Sequence, residues 1–172
     1  HWMPFTSNKD FKANPRLITE AKGVYLKTHH GKTQIDASSG LFCNPLGHGR
    51  KEITEAVTKQ LDTLDYAQPF QQGFGGSFEL ASRIAKHTPG DLNKMFFTIC
   101  GSTAVETAIK IAVAYHRAKG DAQRFRFVGR ERGYHGMNIG CVSVGGMVNN
   151  VKTFASILMP GVQHIRHTHL PE

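Results

Sequence analysis

A strand–helix–strand pattern over residues 95–128 constrains the fold of this chain most. Residues 95–99 (Met-Phe-Phe-Thr-Ile) form a short apolar run, as expected for a parallel strand covered on both faces. The next segment has capping-box spacing from Thr103 to Glu106, helical periodicity and a stop at Gly120, and it precedes a second predicted strand at residues 125–128. A connection of this length implies a right-handed crossover. The sequence therefore predicts an α/β fold with a mainly parallel sheet.

The rest of the chain is less regular. Residues 1–49 are rich in Gly, Pro, Asn and Ser turns, which predicts short strands and loops. Apolar residues at helical spacing predict a helix over residues 50–64. A further helix is expected after Ser77, which is placed as its N-cap, and Pro89-Gly90 should stop it.

Composition excludes two classes of protein. The chain has 172 residues, 40% of them hydrophobic and 20% charged, which is typical of a globular domain and argues against disorder. No apolar run approaches the roughly 20 residues that cross a bilayer, so no membrane partner is expected. The formal net charge of +8 admits acidic partners such as phosphate, carboxylate or nucleic acid without choosing among them.

The cysteines indicate the compartment. Cys43, Cys100 and Cys141 are odd in number, far apart and without C-x-x-C spacing, so a reduced, cytoplasmic setting is expected. No secretory signal is visible after His1, and the chain lacks an initiator Met, which leaves room for upstream residues.

The first candidate site follows the predicted strand at residues 95–99. Ligands of open α/β sheets bind beyond the carboxyl ends of the strands, and here Cys100-Gly101-Ser102-Thr103 leads into a helix. Free backbone N–H groups and the positive end of the helix dipole would favour an anion there, with Gly101 allowing close approach and the hydroxyl groups adding hydrogen bonds to a phosphate. The alternative, that Ser102 or Thr103 only caps the helix, stays open.

The second candidate site follows the predicted strand at residues 125–128. Glycines flank an aromatic ring and an imidazole in Gly129-Arg130-Glu131-Arg132-Gly133-Tyr134-His135-Gly136. Tyr134 is a candidate to stack on a planar cofactor, because flanking glycines leave the faces of its ring clear. A buried Tyr in a glycine-rich turn is the alternative.

Several other motifs fail. Neither G-x-x-x-x-G-K-[ST] nor G-x-G-x-x-G occurs, and Ser143 lacks the first Gly of a nucleophile elbow. His164, His167 and His169 are interpreted as a solvated cluster at a strand end, so no metal is assigned. Residues 124–130 superficially resemble an RNA-binding strand but lack the Gly after the first basic residue, and an alternating strand with Phe125 and Phe127 inward is favoured.

Four segments together resemble the class III pyridoxal-phosphate aminotransferases, most closely the β-alanine (omega-amino acid)–pyruvate transaminases. These are Trp2-Met3-Pro4-Phe5-Thr6, Asp65-Tyr66-Ala67-Gln68-Pro69-Phe70-Gln71, Pro89-Gly90-Asp91-Leu92-Asn93 and the glycine-rich segment from Gly129 to Gly136. The resemblance implies the type I fold of these enzymes. It places residues 1–65 in part of a small domain with a linking helix, and residues 66–172 in the first part of a large, mostly parallel cofactor-binding domain.

The resemblance also implies site residues. Gly101 and Ser102 match the family's binders of the phosphate of pyridoxal 5'-phosphate, with Cys100 beside them, and Tyr134 matches the aromatic residue that stacks on the pyridine ring, accompanied by His135. Leu41 and Phe42 fall where the family lines its substrate pocket, and Tyr66 and Phe70 resemble a loop that approaches the active site across a dimer interface. Where the family has Ser-Gly-Ser-Glu, this chain has Cys at position 100 and Thr at position 103, and Phe42 replaces a Trp.

The implied activity is transfer of an amino group from an omega-amino acid or amine to pyruvate, by a homodimer that binds no nucleic acid. The enzymes of this family are more than twice as long, and their Schiff-base lysine lies beyond Glu172. The resemblance therefore implies an N-terminal portion that is inactive by itself, and no catalytic residue is assigned. Two alternatives remain: another enzyme of the same fold, such as a different aminotransferase or a racemase, and a non-catalytic basic module that binds RNA or anions.

Overall fold

The computed structural model describes residues 1–169. The chain divides into two compact units, one covering His1–Ser77 and the other starting at Phe78. The predicted division after residue 65 concerns the domains of the full-length protein and stays a prediction. Within residues 1–169, the helices all fall short of the length and apolar character that crossing a membrane requires.

The first unit holds a small antiparallel sheet and a helix of 13 residues. After α1 (Asn8–Ala13), strands β1 (Ile18–Lys22), β2 (Tyr25–Thr28) and β3 (Thr33–Ile35) pair in chain order, and α2 (Lys51–Thr63) follows. Gly23 opens the short turn between β1 and β2 with φ +58°, a backbone conformation that a tight hairpin requires and glycine adopts at low cost. Helix α3 (Gly75–Ala85) begins in this unit and continues into the second.

The second unit contains a parallel pair of strands, although its partners are not the two segments, 95–99 and 125–128, that the sequence predicts. Its elements are α4 (Gly101–Ala118), β4 (Phe127–Arg130), α5 (Ile139–Val144), α6 (Val148–Thr153), a 3₁₀ turn at Ala155–Ile157 and β5 (Val162–Ile165). Strands β4 and β5 pair in parallel, with Phe127 opposite Val162 and Arg130 opposite Ile165. The α/β class with a parallel sheet is therefore confirmed.

The core of the second unit is built around α5. Cys141, Val142 and Ser143 are its buried side chains, and α5 packs against α4, α6, β4 and β5. Two glycines allow close packing at the end of α5: a Cβ on Gly129 in β4 would lie 2.1 Å from Val144 O, and one on Gly146, just after the helix, would lie 2.1 Å from Arg130 O. Such distances leave no room for any side chain, so these glycines set how closely α5 approaches the sheet.

Four expectations about single elements are wrong. Residues 95–99 are not a strand, and Phe96 and Ile99 are 70% and 94% exposed, because within residues 1–169 no strand pairs with them. Ser77 lies inside α3, where its hydroxyl donates to Phe74 O, and so does not cap the helix. Helix α4 begins at Gly101, so Thr103 and Glu106 cannot form a capping box. Phe125 precedes β4 and is half exposed.

Candidate functional site

The start of α4 presents free backbone donors. The first hydrogen bond within the helix runs from Ala104 N to Cys100 O at 3.0 Å, so the amides of Gly101, Ser102 and Thr103 precede it. The N-terminal amides of a helix have no partner inside the helix, and the dipole of the 18-residue α4 adds positive potential at this end. The Cys100 turn, defined here as residues 100–103, is therefore built to hold an anion.

The Cys100 thiol lies beside these donors. Its sulfur is exposed and lies 3.4 Å from Thr103 Oγ1. The Thr103 hydroxyl, followed by the backbone amides of Thr103 and Ser102, holds the pKa of the Cys100 thiol below its ordinary value. Since a lowered thiol pKa means that the thiolate is favoured, the turn stabilises negative charge.

Space is available in front of these donors. A Cβ built on Gly101 would meet no atom within 4 Å. The described protein atoms therefore leave the space next to Gly101 open. Open space next to free amides fits a phosphate group, and the donor set matches it chemically.

The segment after β4 reaches the same turn. The Tyr134 loop, defined here as residues 131–138, donates the Met137 N–H to Ser102 Oγ at 3.0 Å. Gly136 is buried with φ +120°, and a Cβ there would lie 2.6 Å from Ser102 Oγ and 2.8 Å from Ser102 Cα. The structure therefore places Ser102 against the loop that carries Tyr134, so that the two predicted sites are neighbours.

The aromatic side chain in this loop is open to solvent. Tyr134 is 61% exposed, which agrees with a ring whose face is available for stacking and not with the buried Tyr of the alternative interpretation. The Ser102 hydroxyl accepts a hydrogen bond from Met137 and keeps its own O–H as a donor for a ligand. His135 lies against Gly133, with its Nε2 atom 3.1 Å from the position of a Gly133 Cβ, and its cofactor contact stays a prediction.

A second set of hydrogen bonds joins α4 to α5. Glu106 Oε1 accepts from Gly140 N at 2.7 Å and from Cys141 N at 3.3 Å, while Cys141 Sγ donates to Ser102 O at 3.2 Å. Burial, followed by the nearby charge of Glu106, raises the pKa of the Cys141 thiol, which therefore stays protonated as this donor.

Sequence reasoning missed the role of Glu106. Its spacing from Thr103 suggested a capping box, but the carboxylate caps the first turn of a different helix, α5. The N-cap residue Asn138 makes no side-chain capping bond to α5. The helix sequence contains a usable signal, since Glu106 lies four residues after Ser102, and residues at that spacing share a helix face.

In the first unit, a carboxylate organises the loop that carries Leu41 and Phe42. Asp36 accepts from Gly40 N at 2.7 Å and from Ser38 N at 3.2 Å, and His48 Nε2 lies 3.1 Å from its Oδ2 atom. Leu41 and Phe42 have φ of +54° and +68°, and both side chains are exposed. Such angles are uncommon for non-glycine residues, and here the Phe42 amide donates to O of Ser38, a residue that Asp36 holds in turn.

Tyr66 and Phe70, the other two predicted substrate residues, are also in the first unit. Both are exposed, and Tyr66 N donates to Asp65 Oδ1 at 2.9 Å. The substrate contacts of Leu41, Phe42, Tyr66 and Phe70 stay predictions. In the second unit, His164 Nε2 lies 2.7 Å from Gly145 O, which gives this imidazole a structural role at the end of α5.

The chain matches known proteins over nearly its whole length. It is 48% identical to an omega-aminotransferase of Caulobacter vibrioides over 168 residues, and 47% identical to a beta-alanine–pyruvate aminotransferase of Pseudomonas aeruginosa over 171 residues. These alignments cover 98% and 99% of this chain but 38% of either relative, so the chain spans about two fifths of their length.

Solved structures share the fold. A crystal structure of the omega transaminase from Pseudomonas jessenii, in complex with PMP, superposes with a TM-score of 0.93 at 29% identity, covering 98% of this chain and 38% of that one. An (S)-enantioselective omega-transaminase from Thermomicrobium roseum gives a TM-score of 0.92 at 31% identity, covering 97% of this chain and 38% of that one. The predicted type I fold is thereby confirmed. The family model for class III aminotransferases matches residues 6–171, and the chain belongs to that family.

Proposed function

We propose that the full-length protein is a pyridoxal-phosphate-dependent aminotransferase and that this segment binds the phosphate and one face of the cofactor ring. The observation that carries the proposal is the hydrogen bond from Met137 N to Ser102 Oγ, which joins the free amides of α4 to the Tyr134 loop. Anion donors and an exposed aromatic ring at one place suit a ligand that is phosphate at one end and a flat heterocycle at the other.

The residues present fit this cofactor. The amides of Gly101, Ser102 and Thr103 and the Ser102 hydroxyl would hold the phosphate, Cys100 would lie beside it, and Tyr134 would cover the pyridine ring with His135 next to it. When bound, the cofactor supplies an electron sink that lets an amino group pass from a donor to a keto acid. Compared with the Ser–Gly–Ser–Glu pattern of the family, Cys100 lacks a hydroxyl and Thr103 lacks a carboxylate, but backbone donors do not depend on side-chain identity.

We propose an omega-amino acid or amine as the amino donor and pyruvate as the acceptor. The support is the names of two relatives that are 47% and 49% identical, the beta-alanine–pyruvate aminotransferase of P. aeruginosa and the omega-amino acid–pyruvate aminotransferase of Pseudomonas putida. Leu41 and Phe42 would line the substrate pocket, and Tyr66 and Phe70 would approach it across the interface of a homodimer. No lysine of this chain is assigned the role of the proton-transferring lysine.

A cytoplasmic location completes the proposal. Its support is that Cys43, Cys100 and Cys141 are all free thiols in the structure, as expected in a reducing compartment.

The test uses the full-length protein with pyridoxal phosphate. We expect a visible absorption band from bound cofactor, and alanine formation when pyruvate is supplied with β-alanine or an aliphatic amine. Alanine production with a different set of donors would revise the substrate class only. Absence of any cofactor band at saturating pyridoxal phosphate would overturn the proposal, and salt-sensitive retention of RNA under those conditions would favour the basic-module alternative.

A further inference from the structure

We infer that Glu106 is a positioning residue that, through α5, fixes the Tyr134 loop beside the Cys100 turn. The inference rests on the proposed function, since it assigns the task of Tyr134 to cofactor binding. It adds to the proposed site a residue that has no assigned contact with the phosphate or the pyridine ring of the cofactor. Hydrogen bonds connect α4 to α5, and α5 to the Tyr134 loop.

Glu106 binds the beginning of α5. Its Oε1 atom accepts from the amides of Gly140 and Cys141, the second and third residues of that helix, at 2.7 and 3.3 Å. A carboxylate at the start of a helix satisfies orphan donors and interacts favourably with the dipole. Because α5 has only six residues, its own bonds do little to hold it in place, and this external acceptor fixes its first turn.

The fit around the carboxylate is tight. A Cβ on Gly140 would lie 2.7 Å from Glu106 Oε1 and 3.1 Å from its Cδ atom. The backbone of α5 therefore approaches the carboxylate as closely as the absence of a side chain allows. A shift of the carboxylate would shift the beginning of α5 with it.

A residue just after α5 is hydrogen-bonded to the Tyr134 loop. Gly146, just beyond the helix, donates its N–H to Gly133 O at 2.8 Å and accepts from Arg132 N at 2.8 Å. These are the two residues directly before Tyr134. Tyr134, Cys141 and Val142 also line one small cavity, so the helix and the loop share a boundary.

Together these bonds form a connected frame, defined here as Glu106, α5, Gly146 and the Tyr134 loop. Glu106 on α4 lies at one end of this frame and Tyr134 at the other. The Cys100 turn is part of α4 as well, so the frame fixes the aromatic ring relative to the phosphate donors. The Ser102–Met137 hydrogen bond provides a second tie at the far side of the loop. Loss of Glu106 should therefore loosen the ring without detaching the loop.

The test is a double-mutant cycle on the affinity of the full-length protein for pyridoxal phosphate, measured by visible absorption and circular dichroism. We expect Glu106→Ala to raise the Kd about tenfold, since a charged acceptor of backbone N–H groups is lost. In a Tyr134→Ala background the same change should raise the Kd less than about twofold, because positioning matters only while the ring is present. Glu106→Gln keeps an acceptor oxygen and should raise the Kd only about threefold.

Controls separate positioning from a general loss of structure. Glu55→Gln changes an exposed glutamate on α2 and should leave the Kd unchanged. If Glu106→Ala fails to fold, the cycle is run with Glu106→Gln, for which we expect about a threefold effect that shrinks in the Tyr134→Ala background.

Equal costs in both backgrounds, or no cost at all, would overturn the inference while leaving the proposed function intact. A wild-type protein that binds no cofactor would overturn both.

Discussion

At the scale of single residues, the site depends on one hydroxyl and one missing side chain. Ser102 holds the Tyr134 loop against α4 by accepting a hydrogen bond from Met137 N. Its own O–H remains available to donate a hydrogen bond to a phosphate. Gly136 allows this contact, because its backbone lies against Ser102. Each residue therefore yields a separate prediction.

Replacing Ser102 by Ala should affect both tasks. The Met137 N–H would lose its acceptor in a partly buried position, which costs about 1–3 kcal/mol of unfolding free energy. Cofactor affinity should fall as well, since a donor to a dianion is removed. Urea unfolding and cofactor titration of the full-length protein measure the two effects. Ser82→Ala, which removes an exposed hydroxyl bonded to Phe78 O within α3, should change neither.

Replacing Gly136 by Ala should separate the loop from the turn. The new Cβ would lie 2.6 Å from Ser102 Oγ at a backbone φ of +120°, so overpacking and strain act together. We expect a loss of about 2–4 kcal/mol in unfolding free energy. Gly75→Ala is the matched control, because a Cβ there meets nothing within 4 Å and lies in a helix. A Gly136→Ala protein as stable as that control would contradict the close approach.

The sequence predicts the residues proposed to contact the ligand better than the residues that hold these in position. Ser102 and Tyr134 are found because each follows a predicted strand of an α/β domain, where ligands bind. Helix spacing places Glu106 on the Ser102 face of α4, but its role is not found, because its partners Gly140 and Cys141 bind through backbone amides 34 and 35 residues away.

At the scale of elements, helices are predicted well and strands less well. Helix α2 covers Lys51–Thr63 against a predicted 50–64, because apolar spacing within the segment identifies it. Residues 95–99 have the composition of a buried strand, but a strand also needs a neighbour, and periodicity cannot supply one. Helices α5 and α6, of six residues each, are too short for a periodic signal.

The loop organised by Asp36 should be sensitive to acid. The hydrogen bond from His48, with further bonds from Ser38 and Gly40, holds the pKa of the Asp36 carboxyl below its ordinary value. A carboxyl whose pKa is lower in the folded state stabilises the protein above its unfolded pKa, about 3.9, and that contribution is lost as the pH falls through the folded value.

Asp36→Asn should therefore lower the free energy of unfolding at pH 6. Below about pH 4, the free energy of unfolding of this variant should fall less than that of wild type. Urea midpoints from pH 6 to pH 3 measure this difference. Asp62→Asn, at an exposed position on α2, serves as the comparison. Parallel pH profiles for wild type and Asp36→Asn would show that the Asp36 network does not stabilise the loop.

At the scale of the molecule, much apolar surface is exposed for a chain of 172 residues. Ile53, Val57 and Leu61 form a stripe on α2 that is 47–57% exposed, and Phe96 and Ile99 are exposed more fully. Contiguous apolar surface of this kind marks an interface. Because the chain spans 38% of the relatives it matches, we expect the remainder of a full-length enzyme to cover these faces.

A dye that reports exposed apolar surface tests that expectation. Residues 1–172 expressed alone should enhance anilinonaphthalene sulfonate fluorescence several-fold more per mole than the full-length protein, and their amides should exchange faster. Equal dye binding by the two proteins would show that these faces remain open in the full-length enzyme.

Residues 95–99 pair with no strand of the described part of the chain, and this bears on how such a protein is made. Translation is vectorial, so an apolar segment that has left the ribosome stays bare until its pairing partners have been synthesised. A nascent chain halted after this segment is therefore expected to recruit ribosome-associated chaperones, and release from them should coincide with emergence of the strands that flank it.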